Sequence, residues 1–543
     1  MGASDQRRFR NIRVYCVYFI SPLTPYSVLK KNSPPPGLAF IAYWGIVLFG
    51  YDTGVGGGVV SATYFKQHFG LVNADGSVNT AKSDAVSSNV VSVLQAGAFF
   101  GALGSAPISA MIGRKWTLFS FTIIFAVGAI LQTIAGGSRG IGYIYGGRVV
   151  AGVGIGAISA VAPAYVSECC PKDVRGRITG FFQIMVAIGV MLSYFINLGI
   201  SLHMPTGSNV WRIPFGFQLV PAGIMALGLL TVKESPRWLA SKDRLEEAAL
   251  NLAYLRRCDP DDVDIRAELA EIEAAIHEER AARNGLGLKE AFFGKGNFIR
   301  FIIAIAIFTL QQWSGQNSVG YYAPQIFQSI GYTGTSNSLL ASGIYGIVKV
   351  VTTTIFVFFL ADTLGRKRLL FISAMGMGIL FYIIGALLKS FPPPVTVSGN
   401  PPPASKAMAA MLYLYVCFYS LGWGPLPWVY VADIFPTRTR HYGLATASAA
   451  QWLFNFVLSK ITPNLVTDLG YKIFLMFATI NIGGMAVFSL LIPETKGRSL
   501  EEMDVIFGSV QADQREADIR KREKAFDQGV SESKSVRSED AKV

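Results

Sequence analysis

Charged residues are scarce in this sequence. Of its 543 residues, only 15% are Asp, Glu, Lys or Arg, whereas soluble domains contain about 25%. Hydrophobic residues make up 51% of the chain, and the mean hydropathy is +0.40. This shortage of charge excludes an ordinary soluble domain. It predicts an all-α polytopic membrane protein, because a helix satisfies its own backbone groups in lipid.

Histidine and cysteine are also scarce, with four and five copies. No histidine lies close in sequence to another, and the cysteines lack the spacing of metal ligands. No Gly-Lys-Ser/Thr motif for phosphate binding is present. We therefore expect no metal site, no cofactor and no ATP-driven step. An enzyme is disfavoured too, since no nucleophile, metal or acid–base constellation can be identified.

Apolar stretches of roughly 20 residues, the length that crosses a bilayer, recur twelve times along the chain. We number them spans 1 to 12 in chain order; they lie near 38–61, 88–111, 116–136, 142–166, 178–200, 214–232, 299–327, 339–361, 368–388, 408–432, 441–463 and 471–492. The prediction is thus two six-helix bundles. The first bundle is predicted at 38–232 and the second at 299–492, with a cytosolic loop that contains amphipathic helices between them at 233–298. A cytosolic N-terminal segment at 1–37 and a cytosolic tail at 493–543 are predicted to flank the bundles.

Basic residues collect in short loops on one side of the predicted spans, as in Arg114-Lys115 and Arg366-Lys367-Arg368. The opposite loops are poor in Lys and Arg, so the basic loops and both termini are predicted to be cytosolic. The net charge of +13 therefore reflects membrane topology. The expected partner is a lipid bilayer, with the plasma membrane as the default, and no nucleic acid.

The two halves carry matching motifs in the same order. Gly113-Arg114-Lys115 follows span 2 and Gly365-Arg366-Lys367 follows span 8; acids, prolines and arginines recur at matching offsets after spans 4 and 10 and after spans 6 and 12. This indicates an internal duplication. We expect the acids and bases to pair across the cytosolic ends of the halves as an inner gate, formed by Arg114, Glu168, Arg175, Glu234, Asp362, Arg366, Asp433, Arg440 and Glu494.

These motifs resemble those of the sugar porter branch of the major facilitator superfamily, from Gly50 to Asp504. The matching segments are Gly50-Tyr51-Asp52, Arg148 to Gly154, Glu234 to Leu239, Gln311-Gln312 with Gly315 and Asn317, Gly424-Pro425 with Pro427-Trp428, and Pro493 to Arg498. Within that branch the sequence looks most like fungal quinate permeases and related sugar-acid carriers. The resemblance implies two pseudo-symmetric six-helix bundles and alternating access, and we expect a functional monomer.

One departure from the family pattern is visible in the first Gly-Arg-Lys loop. The family usually has an acid three residues before the Gly, but Ala110 stands there, whereas the second copy keeps Asp362. We therefore expect an asymmetric inner gate that depends more on the second half.

Asp52 and Arg148 are the candidates for proton coupling. A lone carboxylate within a span must pair or take up a proton, and proton-coupled members of the family pair an Asp and an Arg at these positions. Protonation of Asp52 would release Arg148 and let the bundles rock. The alternative is a purely structural buried pair.

The resemblance also implies substrate-binding positions. Amides bind vicinal hydroxyls and aromatic rings cover C–H faces, which suits a polyhydroxylated substrate; the candidates are Gln183, Gln311, Gln312, Asn317, Tyr322, Trp428, Gln451 and Trp452. The region Gly320 to Pro324 would also bend as an outer gate. The alternatives are hydrogen bonds between helices for single amides and a lipid-facing anchor for Trp452.

Lys349 lies in the otherwise apolar span 8, near where porters of neutral sugars have an Asn. A buried ammonium requires an anion, and a substrate carboxylate would provide one. The alternatives are a side chain that reaches the interface or an acid on another helix. Lys460, near the end of span 11, is interpreted as reaching the interface in this way, although it could also help to guide an anion.

The sequence thus favours proton-coupled uptake of a polyhydroxylated acid that is similar to quinate or to a sugar acid such as galacturonate. A porter of neutral hexose or pentose, by symport or facilitation, is the alternative within the class. A nutrient receptor built on a transporter body is the alternative from another class, although such receptors usually need a longer cytosolic tail than this one.

Overall fold

The computed structural model describes residues 36–170, 172–283, 287–294, 296–360, 365–393, 401–436, 438–496, 502–503 and 506–508. The predicted N-terminal segment and most of the predicted tail therefore lie outside the described residues. Within the described part the chain is helical, apart from a β-bridge between Val72 and Val78.

The first half, spans 1 to 6, is built from eight helices. They are α1 (Pro36–Ser61), α2 (Thr63–His68), α3 (Thr80–Ile112), α4 (Arg114–Thr133), α5 (Gly142–Cys169), α6 (Lys172–His203), α7 (Asn209–Phe217) and α8 (Leu219–Thr231), with a 3₁₀ turn at Gly137–Arg139. Span 6 consists of α7 and α8 in succession.

Four shorter helices form the loop between the halves: α9 (Pro236–Ser241), α10 (Leu245–Arg256), α11 (Val263–Arg283) and α12 (Leu288–Phe293). The side chain of Ser235 caps α9 by accepting from the Trp238 N–H. Apolar residues from α9, α10 and α11 pack into one small core. The loop between the halves is thus helical and has a small core of its own.

The second half, spans 7 to 12, contains α13 (Asn297–Gln312), α14 (Gln316–Tyr321), α15 (Ala323–Ser329), α16 (Thr335–Ile355), α17 (Arg366–Ser390), α18 (Pro403–Leu421), α19 (Leu426–Ile434), α20 (Arg440–Leu469), α21 (Lys472–Thr479) and α22 (Val487–Leu491). A π-helix at Phe356–Leu360 continues α16, and another at Ile480–Ala486 joins α21 to α22.

Nine of the described helices or helix pairs are long and apolar enough to cross a membrane. They correspond to predicted spans 2 to 6, 8 to 10 and 12. The other three predicted spans are also helical. Span 1 is α1, span 11 is α20 with its polar residues, and span 7 is divided into α13, α14 and α15. The predicted all-α fold is confirmed.

Span 7 is divided because its sequence does not favour one continuous helix. Gly315 has φ +93°, a value that L-residues with a side chain rarely adopt, and it separates α13 from α14. Pro324 stands in the first turn of α15, where its missing N–H costs nothing. The polar residues of span 7 therefore lie where one helix ends and the next begins.

Small residues let spans 2 and 4 approach closely. A Cβ atom on Gly152 would lie 2.1 Å from the Leu94 carbonyl oxygen, and one on Gly156 would lie 2.1 Å from that of Ala98. Such contacts favour helix association in lipid, where burial of apolar surface contributes little. The Gly-rich run of span 4 is thus a packing surface.

Candidate functional site

The Gly-Arg-Lys loops define what we call the basic end of the molecule; the other end is the far end. At the basic end, Glu234 accepts from the backbone N–H groups of Arg114 (2.9 Å) and Lys115 (3.1 Å), the first residues of α4. Glu494 accepts from those of Arg366 (2.9 Å) and Lys367 (3.1 Å), the first residues of α17. Each acid therefore caps a helix start, and the duplication extends to matching hydrogen bonds.

The ion pairs at the basic end also repeat. The Arg114 guanidinium makes a bidentate ion pair with Glu168, with N–O distances of 3.0 Å. In the second half, Arg366 lies 3.7 Å from Asp433, which also accepts from Thr495 at 3.0 Å.

The expectation that these pairs would join the two halves is wrong for the described pairs in this conformation. Each pair connects helices of the same half, because each acid leaves a span beside the Gly-Arg-Lys loop of its own bundle. The first-half pair is the shorter of the two. The expected dependence of the gate on the second half rests on Asp362, which lies outside the described residues, and it stays a prediction.

Three gate candidates require separate comment. The Arg440 Nε–H donates to the Phe435 carbonyl, and its charge interacts with Asp433 and Glu279. Asp362 lies outside the described residues, as does the side chain of Arg175. Their predicted roles stay predictions.

At the far end, hydrogen bonds join the two halves. The Tyr194 hydroxyl donates to the Gly320 carbonyl, and the Gln325 amide donates to the Gly57 carbonyl at 3.2 Å. Ser201 and Ser336 are 3.1 Å apart. Spans 1 and 5 of the first half are thus bonded to spans 7 and 8 of the second half in this conformation.

Tyr322 and Lys460 belong to this far-end contact. The Tyr322 hydroxyl donates to the Ser459 carbonyl at 2.7 Å and lies 3.5 Å from that of Ser87. Lys460 donates to Asn89 in span 2, so the interpretation that it reaches for the membrane interface is wrong. Both side chains bridge the halves.

Asp52 and Arg148 are in direct contact, as expected. Arg148 Nη1 lies 2.8 Å from Asp52 Oδ1, and both side chains are 1% exposed. Gln218 donates to the same Asp52 oxygen at 2.9 Å, and Arg148 Nε–H donates to the Val90 carbonyl at 2.8 Å. Asp52 Oδ2 has no hydrogen-bond partner. The buried pair is thus only partly satisfied, which suits a group that exchanges a proton.

The predicted amides of span 7 bond mostly to protein in this conformation. Gln311 donates to the carbonyls of Trp423 (2.7 Å) and Gly424 (3.1 Å), where α18 gives way to α19. Asn317 donates to Gln312, whose amide lies 3.5 Å from Gln311 Oε1. These side chains connect the breaks of spans 7 and 10.

Spans 11 and 5 provide polar atoms that have no hydrogen-bond partner among the described residues. Gln451 Oε1 and Asn455 Oδ1 are buried without a hydrogen-bond partner, and they lie one helical turn apart on α20. Asn455 donates to the Tyr321 hydroxyl at 3.0 Å. Gln183 is part-exposed and forms no hydrogen bond within the described part of the chain. These polar groups can form further hydrogen bonds.

The two predicted aromatic residues differ. Trp452 is 2% exposed and packs edge-on against Phe49 of span 1, with ring centroids 5.5 Å apart. It is therefore buried between the halves. Trp428 is part-exposed and packs against Phe308 at 4.6 Å, which leaves part of its surface for a ligand.

Lys349 forms no ion pair or hydrogen bond among the described residues. One turn before it, Tyr345 donates to Gln316 of span 7 at 3.0 Å. Three residues after it, Thr352 is bonded to Cys417 of span 10 at 3.3 Å. Because positions three and four apart share a helix face, Lys349 lies on the side of span 8 that faces spans 7 and 10.

Sequence reasoning missed three polar residues in this region. Gln218 bonds to Asp52, Gln316 bonds to Tyr345, and Asn455 bonds to Tyr321. Asn455 could have been found from its position four residues after Gln451. Nothing in the sequence singled out the other two. Among the described residues no group of three or more potential metal ligands occurs.

Comparisons with known proteins agree with this arrangement. A family model described as "Sugar (and other) transporter" matches residues 38–507. The probable quinate permease of Aspergillus niger is 39% identical over 474 residues, 87% of each chain. The quinate permease of Emericella nidulans is 37% identical over 475 residues, 87% of this chain and 88% of the relative. The solved structure of the proton:xylose symporter XylE with 6-bromo-6-deoxy-D-glucose has a TM-score of 0.69 at 26% identity, and the match covers 87% of this chain and 98% of that one.

Two related six-helix halves that enclose a buried ion pair and a set of amides define a transporter of the major facilitator superfamily. The chain belongs to its sugar porter branch, the sugar (and other) transporter family. The expected membrane transporter, in place of an enzyme, is confirmed by relatives that are named as permeases and symporters.

Proposed function

We propose that this transporter takes up a polyhydroxylated organic acid of the quinate or sugar-acid type together with a proton. The observation that carries this proposal is Lys349, a cation within span 8 that has no ion-pair partner among the described residues. A carboxylate on the substrate compensates such a charge. A neutral sugar does not.

The amides support a substrate with several hydroxyl groups. Gln451 and Asn455 offer buried oxygen atoms without partners, and an unpaired buried acceptor is costly until a donor reaches it. Gln183 adds a part-exposed amide from the first half. Gln311, Gln312 and Asn317 hold one another in this conformation, and we propose that substrate hydroxyls exchange with these bonds.

The names of the relatives are consistent with an acid substrate. The two permeases described above, at 39% and 37% identity, are named for quinate, which carries a carboxylate and several hydroxyls on one ring. That combination suits one lysine surrounded by amides.

Asp52 and Arg148 are proposed to couple transport to a proton. The pair is almost fully buried and leaves Asp52 Oδ2 unbonded, so a proton has an open site there. Protonation removes the charge that holds Arg148. The arginine then keeps its bond to the Val90 carbonyl in span 2, and the link between spans 1 and 4 weakens.

Alternating access is proposed to follow from gates at the two ends. The far end is joined by bonds between the halves, and we propose that it faces the outside. The basic end, with both termini, is proposed to face the cytosol, in a monomer of the plasma membrane. Its ion pairs and caps keep each half rigid while the halves rock, with 38–232 and 299–492 as the moving bodies.

A porter of neutral sugars is the second candidate. The structure that supports it is the proton:xylose symporter, which shares the fold at 26% identity. The amides alone do not distinguish a sugar from a sugar acid, since both present vicinal hydroxyls. Lys349 is the residue that separates the two candidates.

Uptake measurements test the proposal directly. Cells or proteoliposomes that contain this chain are given labelled quinate, galacturonate or glucose while the external pH is recorded. Quinate or galacturonate is expected to enter with a proton. Lys349→Met is expected to lower acid uptake by about 100-fold or more, because a desolvated charge pair is lost.

Lys349→Arg keeps the charge and is expected to keep measurable acid uptake. Lys389→Met serves as the matched control, because Lys389 is exposed at the end of span 9. Entry of glucose but not of the acids, or full acid uptake by Lys349→Met, would contradict the proposed substrate.

A further inference from the structure

Lys460 bridges the two halves at the far end. Its ammonium donates to Asn89 Oδ1 and lies 3.4 Å from Ser88 Oγ, and both residues are in span 2. Lys460 is part-exposed, and it is nine residues after Gln451 on α20. At the helical rise this places it about 14 Å nearer to the far end than the proposed substrate amides.

The partners of Lys460 are neutral, although the far end also carries acids. Asp84, in the same helix α3 as Ser88 and Asn89, accepts from Thr467 at 2.7 Å, and its charge interacts with Lys66 and Asp468. Lys460 forms no ion pair within the described part of the chain. Asp84 is thus bonded to another group, and the lysine bonds only to a hydroxyl and an amide.

These bonds exist only while spans 2 and 11 are in contact. When the far end opens, Asn89 and Ser88 move away with the first half, and Lys460 keeps its charge on the second half. An ammonium that has lost neutral acceptors binds a carboxylate better than it binds water or an amide, because the carboxylate adds the attraction of an opposite unit charge.

We propose that Lys460 is an entry site for the carboxylate of an acid substrate at the far end. Asn89 and Ser88 take the ammonium back as the halves close. The carboxylate is thereby released toward the amides deeper in the same helix. This inference rests on the proposed function, since it requires an anionic substrate. Lys460 is then a second cationic site besides Lys349. Asn89 and Ser88 compete with the substrate carboxylate for its ammonium when the far end closes.

The competing explanation is a simple latch that holds the far end shut. A latch and an entry site give different results when the two partners are changed separately. Lys460→Gln removes the charge and the ammonium's bonds to Asn89 and Ser88, whereas Asn89→Ala removes the shorter of those bonds and leaves the charge. If Lys460 is only a latch, the two variants behave alike.

The experiment measures the initial rate of labelled acid uptake against external concentration, on the full chain in proteoliposomes. For Lys460→Gln the KM is expected to rise by about tenfold, as for the loss of one exposed charge contact, while the maximal rate stays within about twofold. For Asn89→Ala the KM is expected to fall or stay unchanged. Lys460→Arg should retain the wild-type KM, and Lys389→Gln, an exposed control at the same end, should have no effect.

The dependence of KM on salt provides a second readout. Raising external KCl from about 0.01 M to 1 M shortens the Debye length from about 30 Å to 3 Å. It is therefore expected to raise the KM of the wild type more than that of Lys460→Gln. A wild-type KM that does not respond to salt, or equal kinetic changes in Lys460→Gln and Asn89→Ala, overturns the entry site.

Failure of this inference can be separated from failure of the proposed function. If the wild type takes up the acid and Lys460→Gln keeps its KM, only the entry site is wrong. If the wild type takes up no acid, both proposals are wrong. If Lys349→Met loses acid uptake and Lys460→Gln shows the expected rise in KM, both proposals are supported.

Discussion

Spans 3 and 9 begin alike in the two halves, whereas the middles of the halves carry different charges. At the basic end, Glu234 and Glu494 bond to corresponding backbone groups at the same distances, 2.9 and 3.1 Å. Within the membrane, the first half holds an ion pair, Asp52 with Arg148. The second half holds Lys349 without one among the described residues.

This difference shows which parts of a duplicated fold are free to diverge. A helix start at the membrane surface needs its N–H groups satisfied whatever is transported, so the caps are the same in both halves. A charge within the membrane is costly unless it pairs with another charge or serves in binding a proton or a substrate. Under the proposed function the first half uses its charges for the proton and the second half uses Lys349 for the substrate.

The largest expected effect comes from removing the charge of the first half. Asp52→Asn is expected to abolish accumulation of substrate against a gradient, so that the ratio of inside to outside concentration falls to about one, because binding of the proton and of the substrate are no longer linked. Exchange of labelled for unlabelled substrate should persist. Both are measured in proteoliposomes, with and without a pH gradient.

Gln218→Leu provides the matched comparison for Asp52→Asn. It removes the neutral hydrogen bond to Asp52 but leaves the carboxyl group. Accumulation should be reduced in Gln218→Leu and not abolished. Concentrative uptake by Asp52→Asn would place the coupling site elsewhere.

The two Gly-Arg-Lys loops give a smaller effect that differs between the halves. A Cβ on Gly113 would lie 2.3 Å from Glu234 Oε2, and one on Gly365 would lie 2.4 Å from Glu494 Oε2. Only Gly113 has a positive φ, +97°. Gly113→Ala therefore adds about 1–2 kcal/mol of backbone strain to the displaced cap, and it should lower the thermal midpoint more than Gly365→Ala.

The midpoints are measured by thermal unfolding of the purified protein in detergent. Gly223→Ala is the control, because a Cβ there meets no atom within 4 Å and the residue lies within α8; it should leave the midpoint unchanged or raise it slightly. Equal losses in the two loop variants would mean that the φ of Gly113 does not contribute.

Much of the fold and part of the site could be predicted from the sequence. Hydropathy places the twelve spans because lipid imposes one length on them. The repeated motifs placed Glu234 and Glu494 at matching sites, and the family resemblance paired Asp52 with Arg148. A charge within an apolar span, such as that of Asp52, has few possible partners, so sequence is informative there.

The incorrect expectations concern which half supplies a partner. The sequence places Arg114 and Glu168 in the same half and on one side of the membrane, but it does not show that they pair with each other instead of with residues of the other half. Lys460 was assigned to the interface because its acceptors, Ser88 and Asn89, are about 370 residues away in sequence. Such contacts depend on how the halves are docked, which local patterns do not encode.

The smallest expected effect compares the two caps by their pH dependence. Burial raises the pKa of Glu234 above its usual value, even though backbone N–H groups and Arg114 act against this. For Glu494 burial acts in the same direction, but backbone N–H bonds from Lys496, Arg366, Lys367 and Thr495 outweigh it and lower the pKa. Both acids accept backbone N–H bonds, but their pKa values shift in opposite directions because Glu234 is the more deeply buried acid.

Stability should therefore change with pH in opposite directions at the two caps. The lowered pKa of Glu494 means that its stabilisation is present above the pH at which an unfolded Glu titrates, about 4.3, and is lost as the pH falls through the folded pKa. The raised pKa of Glu234 means that the folded protein binds this proton first, so acidification toward pH 4.3 favours the folded state there.

Glu494→Gln should lower the thermal midpoint near pH 7 and approach the wild type as the pH falls. The difference between wild type and Glu234→Gln should instead shift in favour of the wild type on acidification. Parallel pH profiles for the two variants would show that the caps are electrostatically equivalent.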